Sequence, residues 1–110
     1  ANQYLNNIKN KNIILPKIRN NSQHVFHIFS ILVKNKQKFI KYLNKKKIFP
    51  GLHYKRLAYQ NNGYEKFCKY NYKKLINSKK ISRYQVSLPI YPELTNSNIN
   101  KIIKAVNNYK

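Results

Sequence analysis

Negative charge is almost missing from this sequence: Glu65 and Glu93 alone oppose 23 lysines and arginines, for a net charge of +21. Methionine does not occur at all. Ala1 is therefore not a natural start, and the chain is expected either to have lost residues or to be part of a longer polypeptide. Cysteine occurs once, as Cys68, which excludes an intramolecular disulfide framework and fits a reducing, cytoplasmic compartment. Long apolar runs are also absent. None approaches the roughly 18 residues that a membrane helix requires, and Ala1 to Leu15 holds no continuous apolar core of a signal peptide. Cys68 lies between Lys66 and Lys69, which could lower its pKa, but no Cys–His–Asn signature surrounds it and it reads as incidental.

The positive excess has two readings. A nucleic-acid-binding domain gains affinity by releasing counterions from phosphates. That reading predicts a concentrated basic patch, usually with arginine. Codon drift predicts lysines scattered over any tolerant surface, with asparagine equally common. Lysines here run from Lys9 to Lys110, arginine is confined to Arg19, Arg56 and Arg83, and Lys, Asn, Ile and Tyr together exceed half the chain. Scatter fits drift better. Either way, so many like charges repel one another and should weaken the fold at low salt.

What is present suits one folded domain. At 110 residues with 42% apolar composition, ten tyrosines and five phenylalanines, the chain can bury a modest core. Tyr4, Leu5 and Ile8 predict a short amphipathic helix over 2–10. Ile13 to Ile18 reads as an extended connector interrupted by Pro16, and Asn20-Asn21-Ser22 as a polar turn. Val25 to Val33 is the clearest strand, apolar on both faces. Lys36 to Lys47 turns helical, with Phe39, Ile40 and Leu43 inward and Asn35 as N-cap. A second strand is expected over Ile48 to His53, bent at Pro50-Gly51. Asn61-Asn62-Gly63 is a turn signal, followed by a loosely helical run through Tyr64, Phe67, Tyr70 and Leu75. Asn77 to Tyr84 reads as a helix, Gln85 to Leu88 as a third strand, and Asn96 to Asn108 as a last helix that Thr95 caps. Pro89 and Pro92 end that third strand in a rigid turn. The fold class is α+β: a small three-stranded, mainly antiparallel sheet flanked by helices.

Five segments, in order, resemble one known family. They are His24-Val-Phe-His-Ile-Phe29, Leu43-Asn-Lys-Lys-Lys-Ile48, Gly51-Leu-His-Tyr54, Asn77-Ser-Lys-Lys-Ile-Ser82 and Ser87-Leu-Pro-Ile-Tyr-Pro-Glu-Leu-Thr95. Their order and spacing are similar to the carboxy-terminal domain of the DegT/DnrJ/EryC1/StrS aminotransferases, pyridoxal-phosphate enzymes of fold type I that act on nucleotide sugars. The chain departs from the family pattern at four points. Arg56 stands for a turn proline, Ala58 for a histidine, Lys79 for a glutamate, and Asn98 for the Glu or Gln that would complete a capping box with Thr95.

The resemblance implies an enzyme that transfers an amino group, usually from glutamate, to a keto sugar linked to a nucleoside diphosphate, as in polysaccharide biosynthesis. Its pyridoxal phosphate forms a Schiff base with a lysine of a large upstream domain, which this sequence lacks. No lysine here takes that role, so no catalytic, cofactor-binding or metal-binding residue is assigned, and the isolated chain is expected to be inactive. Residues 1–22 become a connecting helix and linker, and 23–110 the domain itself. Family members are homodimers whose small domain packs on the large one and borders the sugar-nucleotide entrance.

His53, Tyr54, Lys55 and Arg56 are the candidate substrate-binding residues. By resemblance they occupy the loop at that entrance, where His53 and Tyr54 can donate to sugar or diphosphate oxygens and Lys55 and Arg56 can meet phosphate charge. The plainer alternatives are that His53 and Tyr54 only fix the loop and that Lys55 and Arg56 are solvated. His24 and His27, three apart on a strand, should point to opposite faces and not share a metal. Tyr59, Tyr64, Tyr70 and Tyr72 among lysines resemble a base-stacking surface, although packing against the large domain is the better account. Two other functions stay open: a basic module binding nucleic acid, and a docking domain for a separately encoded large subunit.

Overall fold

The computed structural model describes residues 1–64 and 74–110. Its elements run α1 (Asn2–Asn7), β1 (Ile13–Ile14), β2 (Phe29–Val33), α2 (Lys36–Lys45), one turn of 3-10 helix (Ala58–Gln60), α3 (Ile76–Tyr84), β3 (Gln85–Leu88) and α4 (Asn96–Asn107). The α+β expectation holds: the three strands form one antiparallel sheet in the order β1-β2-β3.

Period-two alternation builds the sheet. Phe29, Ile31 and Val33 of β2 are buried on one face and pair with Leu88, Val86 and Ile13, which are buried on that same face. Helices α2 and α4 bring Phe39, Leu43, Ile102, Ile103, Ala105 and Val106 into the same core, joined by Tyr4 and Ile8 of α1. Both expected N-caps are made. The Asn35 side chain accepts from the Lys38 N–H, and Thr95 Oγ1 accepts from the Asn98 N–H.

Asparagines tie α1 to the end of α4. The Asn10 side-chain amide donates to the carbonyls of Val106, in the last turn of α4, and of Tyr109, just beyond it, each at 2.8 Å. Asn107 accepts from the Lys9 N–H and donates to the Asn7 carbonyl. The Tyr4 hydroxyl donates to the Pro89 carbonyl at 2.8 Å, and its ring meets Phe29 edge-on.

Three segments differ from the sequence reading. The strand expected over 25–33 begins only at Phe29, because Phe26 takes φ 48° and leaves the β region. There Phe26 stacks between His24 and Phe29, and Val25 is 87% exposed. The strand expected over 48–53 shrinks to a single bridge in which Gly51 and Ser87 exchange both backbone hydrogen bonds. The next hydrogen-bonded pair on one side would need an N–H from Pro89, which has none, and on the other side Tyr54 at φ 55° turns the chain away. In its place the third strand is Ile13–Ile14, within the segment that the sequence predicts to be an extended connector.

Helix α2 stops two residues early by a recognisable device. The Ile48 N–H bonds to the Leu43 carbonyl and the Lys47 N–H to the Asn44 carbonyl, with Lys47 at φ 58°. This is the Schellman pattern, whose left-handed position glycine normally fills. Among the described residues, no helix is long and apolar enough to cross a membrane.

Candidate functional site

The four predicted residues sit together on the loop that leaves the Gly51 bridge. His53 folds back so that its ring lies over Gly51, close enough that a Cβ there would stand 2.6 Å from the ring. Its Nδ1 lies 2.9 Å from the Ser87 hydroxyl, and Ser87 is only 2% exposed. Tyr54 follows in the left-handed region and stands out, 73% exposed. The Lys55 carbonyl accepts from the Ser82 hydroxyl at 3.3 Å, near the end of α3. The side chains of Lys55 and Arg56 are exposed.

The loop is therefore pinned by a ring at one end and a carbonyl at the other, with a phenol and two cations presented between and beyond the pins. Such a set can donate to, and neutralise, a phosphorylated ligand. Sequence reasoning found the presented residues and His53, for which fixing the loop was the plainer reading, but missed the anchors Gly51, Ser82 and Ser87. Gly51 and Ser87 each belong to a motif already singled out, but nothing in a linear sequence says that these two motifs touch.

The other candidates are placed as follows. His24 lies before the strand, with Nδ1 accepting from the Phe26 N–H at 2.8 Å. His27 is exposed, also outside β2. Neither joins a group of His, Cys, Asp or Glu able to hold a metal among the described residues. Tyr59 is half-buried and Tyr64 is 59% exposed. Cys68, Phe67, Tyr70 and Tyr72 lie outside the described residues. Phe49, Leu52 and Ile76 add exposed apolar surface on or beside the loop and at the start of α3.

Away from the loop, a hollow of about 830 Å³ opens beside β1 and α3. Lys11, Lys34, Lys38, Lys80, Arg83 and Lys110 line it, over an apolar floor that includes Ile14 and Leu32. Among the described residues, no acidic side chain lines it.

The family model of the DegT/DnrJ/EryC1/StrS aminotransferases matches residues 1–107. A dTDP-3-amino-3,6-dideoxy-alpha-D-galactopyranose transaminase from Aneurinibacillus thermoaerophilus is 31% identical over 96% of the chain, which covers 28% of that relative. Among solved structures, S. venezuelae DesV in complex with a ketimine intermediate superposes with TM-score 0.87 at 22% identity, covering 96% of this chain and 29% of that one. A family aminotransferase from Brucella abortus gives TM-score 0.82 at 20% identity, over 96% and 28% of the two chains. The chain thus spans less than a third of the length of the relatives it matches.

Proposed function

The chain belongs to the DegT/DnrJ/EryC1/StrS aminotransferase family, and on that premise we propose that it is the carboxy-terminal small domain of a nucleotide-sugar aminotransferase. The reaction is amino transfer, usually from glutamate, to a keto sugar carried on a nucleoside diphosphate. The observation that carries the reading is the loop 51–56. Within a chain that is 31% identical to a sugar-nucleotide transaminase, it presents a tyrosine, a lysine and an arginine from two fixed points. In this reading Lys55 and Arg56 meet the diphosphate and Tyr54 donates to a phosphate or sugar oxygen. The exposed Phe49, Leu52 and Ile76 pack against the rest of the enzyme.

Pyridoxal phosphate, where the family binds it, supplies an electron sink for the amino transfer. The described residues of this chain do not fit that cofactor. A Schiff-base lysine is activated by desolvation or a cationic neighbour in a closed pocket, yet no described lysine is buried. Glu93 is the only described carboxylate available to pair with the cofactor's ring nitrogen. No step is therefore routed through this chain beyond binding and orienting substrate.

The test is kinetic, on the native polypeptide that carries this chain. Arg56→Ala should raise KM for the nucleotide sugar about tenfold, the worth of one charge-assisted hydrogen bond of roughly 1.4 kcal/mol. The value of kcat should change little. An unchanged KM would remove the loop from the substrate site.

A second reading rests on the basic hollow. Six cations around one concavity, with one of the chain's three arginines among them, make the concentrated patch that nucleic-acid binding predicts. Matched reversals separate it from mere net charge. Lys34→Glu with Lys80→Glu alters the hollow, whereas Lys41→Glu with Lys45→Glu makes the same charge change on α2 outside it. Fluorescence anisotropy with a single-stranded oligonucleotide should show a larger loss for the hollow pair if this reading holds, and equal losses if adhesion follows total charge alone.

A further inference from the structure

We infer that Ser87, Gly51 and Ser82 form a latch whose task is to hold the 53–55 segment in one conformation, so that Tyr54 is presented outward. This inference rests on the proposed role of the loop and adds the residues that set its geometry.

The latch has two sides. On one, Ser87 does double duty. Its backbone N–H and carbonyl bond to the Gly51 carbonyl and N–H, both at 2.9 Å, fixing where the loop departs from the sheet. Its buried hydroxyl then meets His53 Nδ1 at 2.9 Å. A hydroxyl removed from water keeps a partner or costs stability, so the Ser87 hydroxyl draws the imidazole back onto the sheet. Gly51 makes room for that ring, since any Cβ at 51 would overlap it. The Gly51 side of the latch is thus steric and the Ser87 side polar, and each needs the other.

On the second side, Ser82 Oγ donates to the Lys55 carbonyl at 3.3 Å. With the residue before and the residue after both held, Tyr54 spans the gap at φ 55°, a conformation that a bulky L-residue rarely adopts unassisted. Held so, its ring faces solvent rather than packing on its own domain. Ser82 carries one more tie: its own carbonyl accepts from Lys36 Nζ at 2.8 Å, so the anchor is braced against the start of α2.

Two substitutions reach the His53 ring by independent routes. Ser87→Ala removes the polar catch with little change of volume, and Gly51→Ala pushes the ring away while leaving the hydroxyl and the backbone bridge in place. The readout is the ring-nitrogen chemical shifts of His53 and the amide order parameter of Tyr54, measured by NMR on protein whose amide dispersion shows it folded. Both variants should shift the His53 ring nitrogens in the same direction and lower the Tyr54 order parameter. Ser82→Ala should lower the order of Lys55 and leave the His53 ring unchanged, which a general loosening of the fold would not do. Unmoved His53 signals in both Gly51→Ala and Ser87→Ala would overturn the latch; if Ser87→Ala fails to fold, Gly51→Ala alone decides.

Thymidine diphosphate added to the native polypeptide separates the latch from the substrate reading. Each variant should weaken its binding about fivefold, and the double variant no more than either alone, because both open the same catch. Moved ring signals with unchanged thymidine diphosphate affinity would support the latch and remove the loop's proposed contact with substrate.

Discussion

The sheet core and the loop that leaves it at Gly51 are held by different physics. In the core, Phe29, Ile31, Val33, Val86 and Leu88 are at most 2% exposed and enforce one register through apolar burial. Slipping that register by one residue would turn every one of them to the other face. In the 47–56 segment only Ile48 is buried. Shape there comes from single hydrogen bonds and from two residues at positive φ, Lys47 and Tyr54. The core is overdetermined, so one lost contact costs energy but not geometry. The loop is determined contact by contact, so one lost contact changes geometry for little energy.

Substitutions can break or sharpen that contrast. The largest effect belongs to the core: Phe39→Ala, at a fully buried position, should destabilise by about 4 kcal/mol in chemical denaturation. Tyr4→Phe should cost less, about 1–2 kcal/mol at neutral pH, because the Pro89 carbonyl loses its donor. It should also alter the alkaline limb. Burial, then the nearby Tyr91, raises the Tyr4 pKa far above the ordinary 10.0, and burial raises that of Tyr109. The unfolded tyrosines ionise first, so this contribution is complete below about pH 10 and declines as pH rises above it. Thermal melts between pH 8 and 11 should therefore fall less steeply for Tyr4→Phe than for wild type.

The loop side predicts smaller effects of opposite sign. Lys47→Gly should stabilise the protein by about 1 kcal/mol, since glycine takes the left-handed capping position without a Cβ penalty. Tyr54→Gly should gain less than about 1 kcal/mol for the same reason, yet weaken nucleotide-sugar binding if the ring contacts substrate. A gain in melting temperature together with a loss of affinity would show the loop's conformation trading stability for presentation.

Legibility followed the same division. Helix α4, its Thr95 cap and strand β3 were readable because apolar periodicity, a capping residue and flanking prolines all pointed one way. Strand β1 was not, since two residues carry no period. The run from Val25 to Ile28 misled because its β-forming residues hide the left-handed turn at Phe26, which depends on stacking against His24 and Phe29. The candidate site was half legible. His53, Tyr54, Lys55 and Arg56 stood in a recognisable motif, whereas His53 and Ser87 lie 34 residues apart, and Lys55 and Ser82 lie 27 apart. The fold alone closes those distances.

The two-residue length of β1 also bears on how copies of this protein meet. An open sheet edge is a template on which another chain can add a strand, the first step toward ordered aggregation. Here one edge offers only Ile13 and Ile14 before Pro16 interrupts. The other is β3, where Ser87 already exchanges both backbone bonds with Gly51, the Gln85 N–H is taken by the Ile81 carbonyl, and Pro89 follows without an N–H. Neither edge gives an incoming strand a ladder to zip along. Stubs and prolines at the margins let this chain keep its rich supply of isoleucine, tyrosine and phenylalanine without inviting neighbours to polymerise.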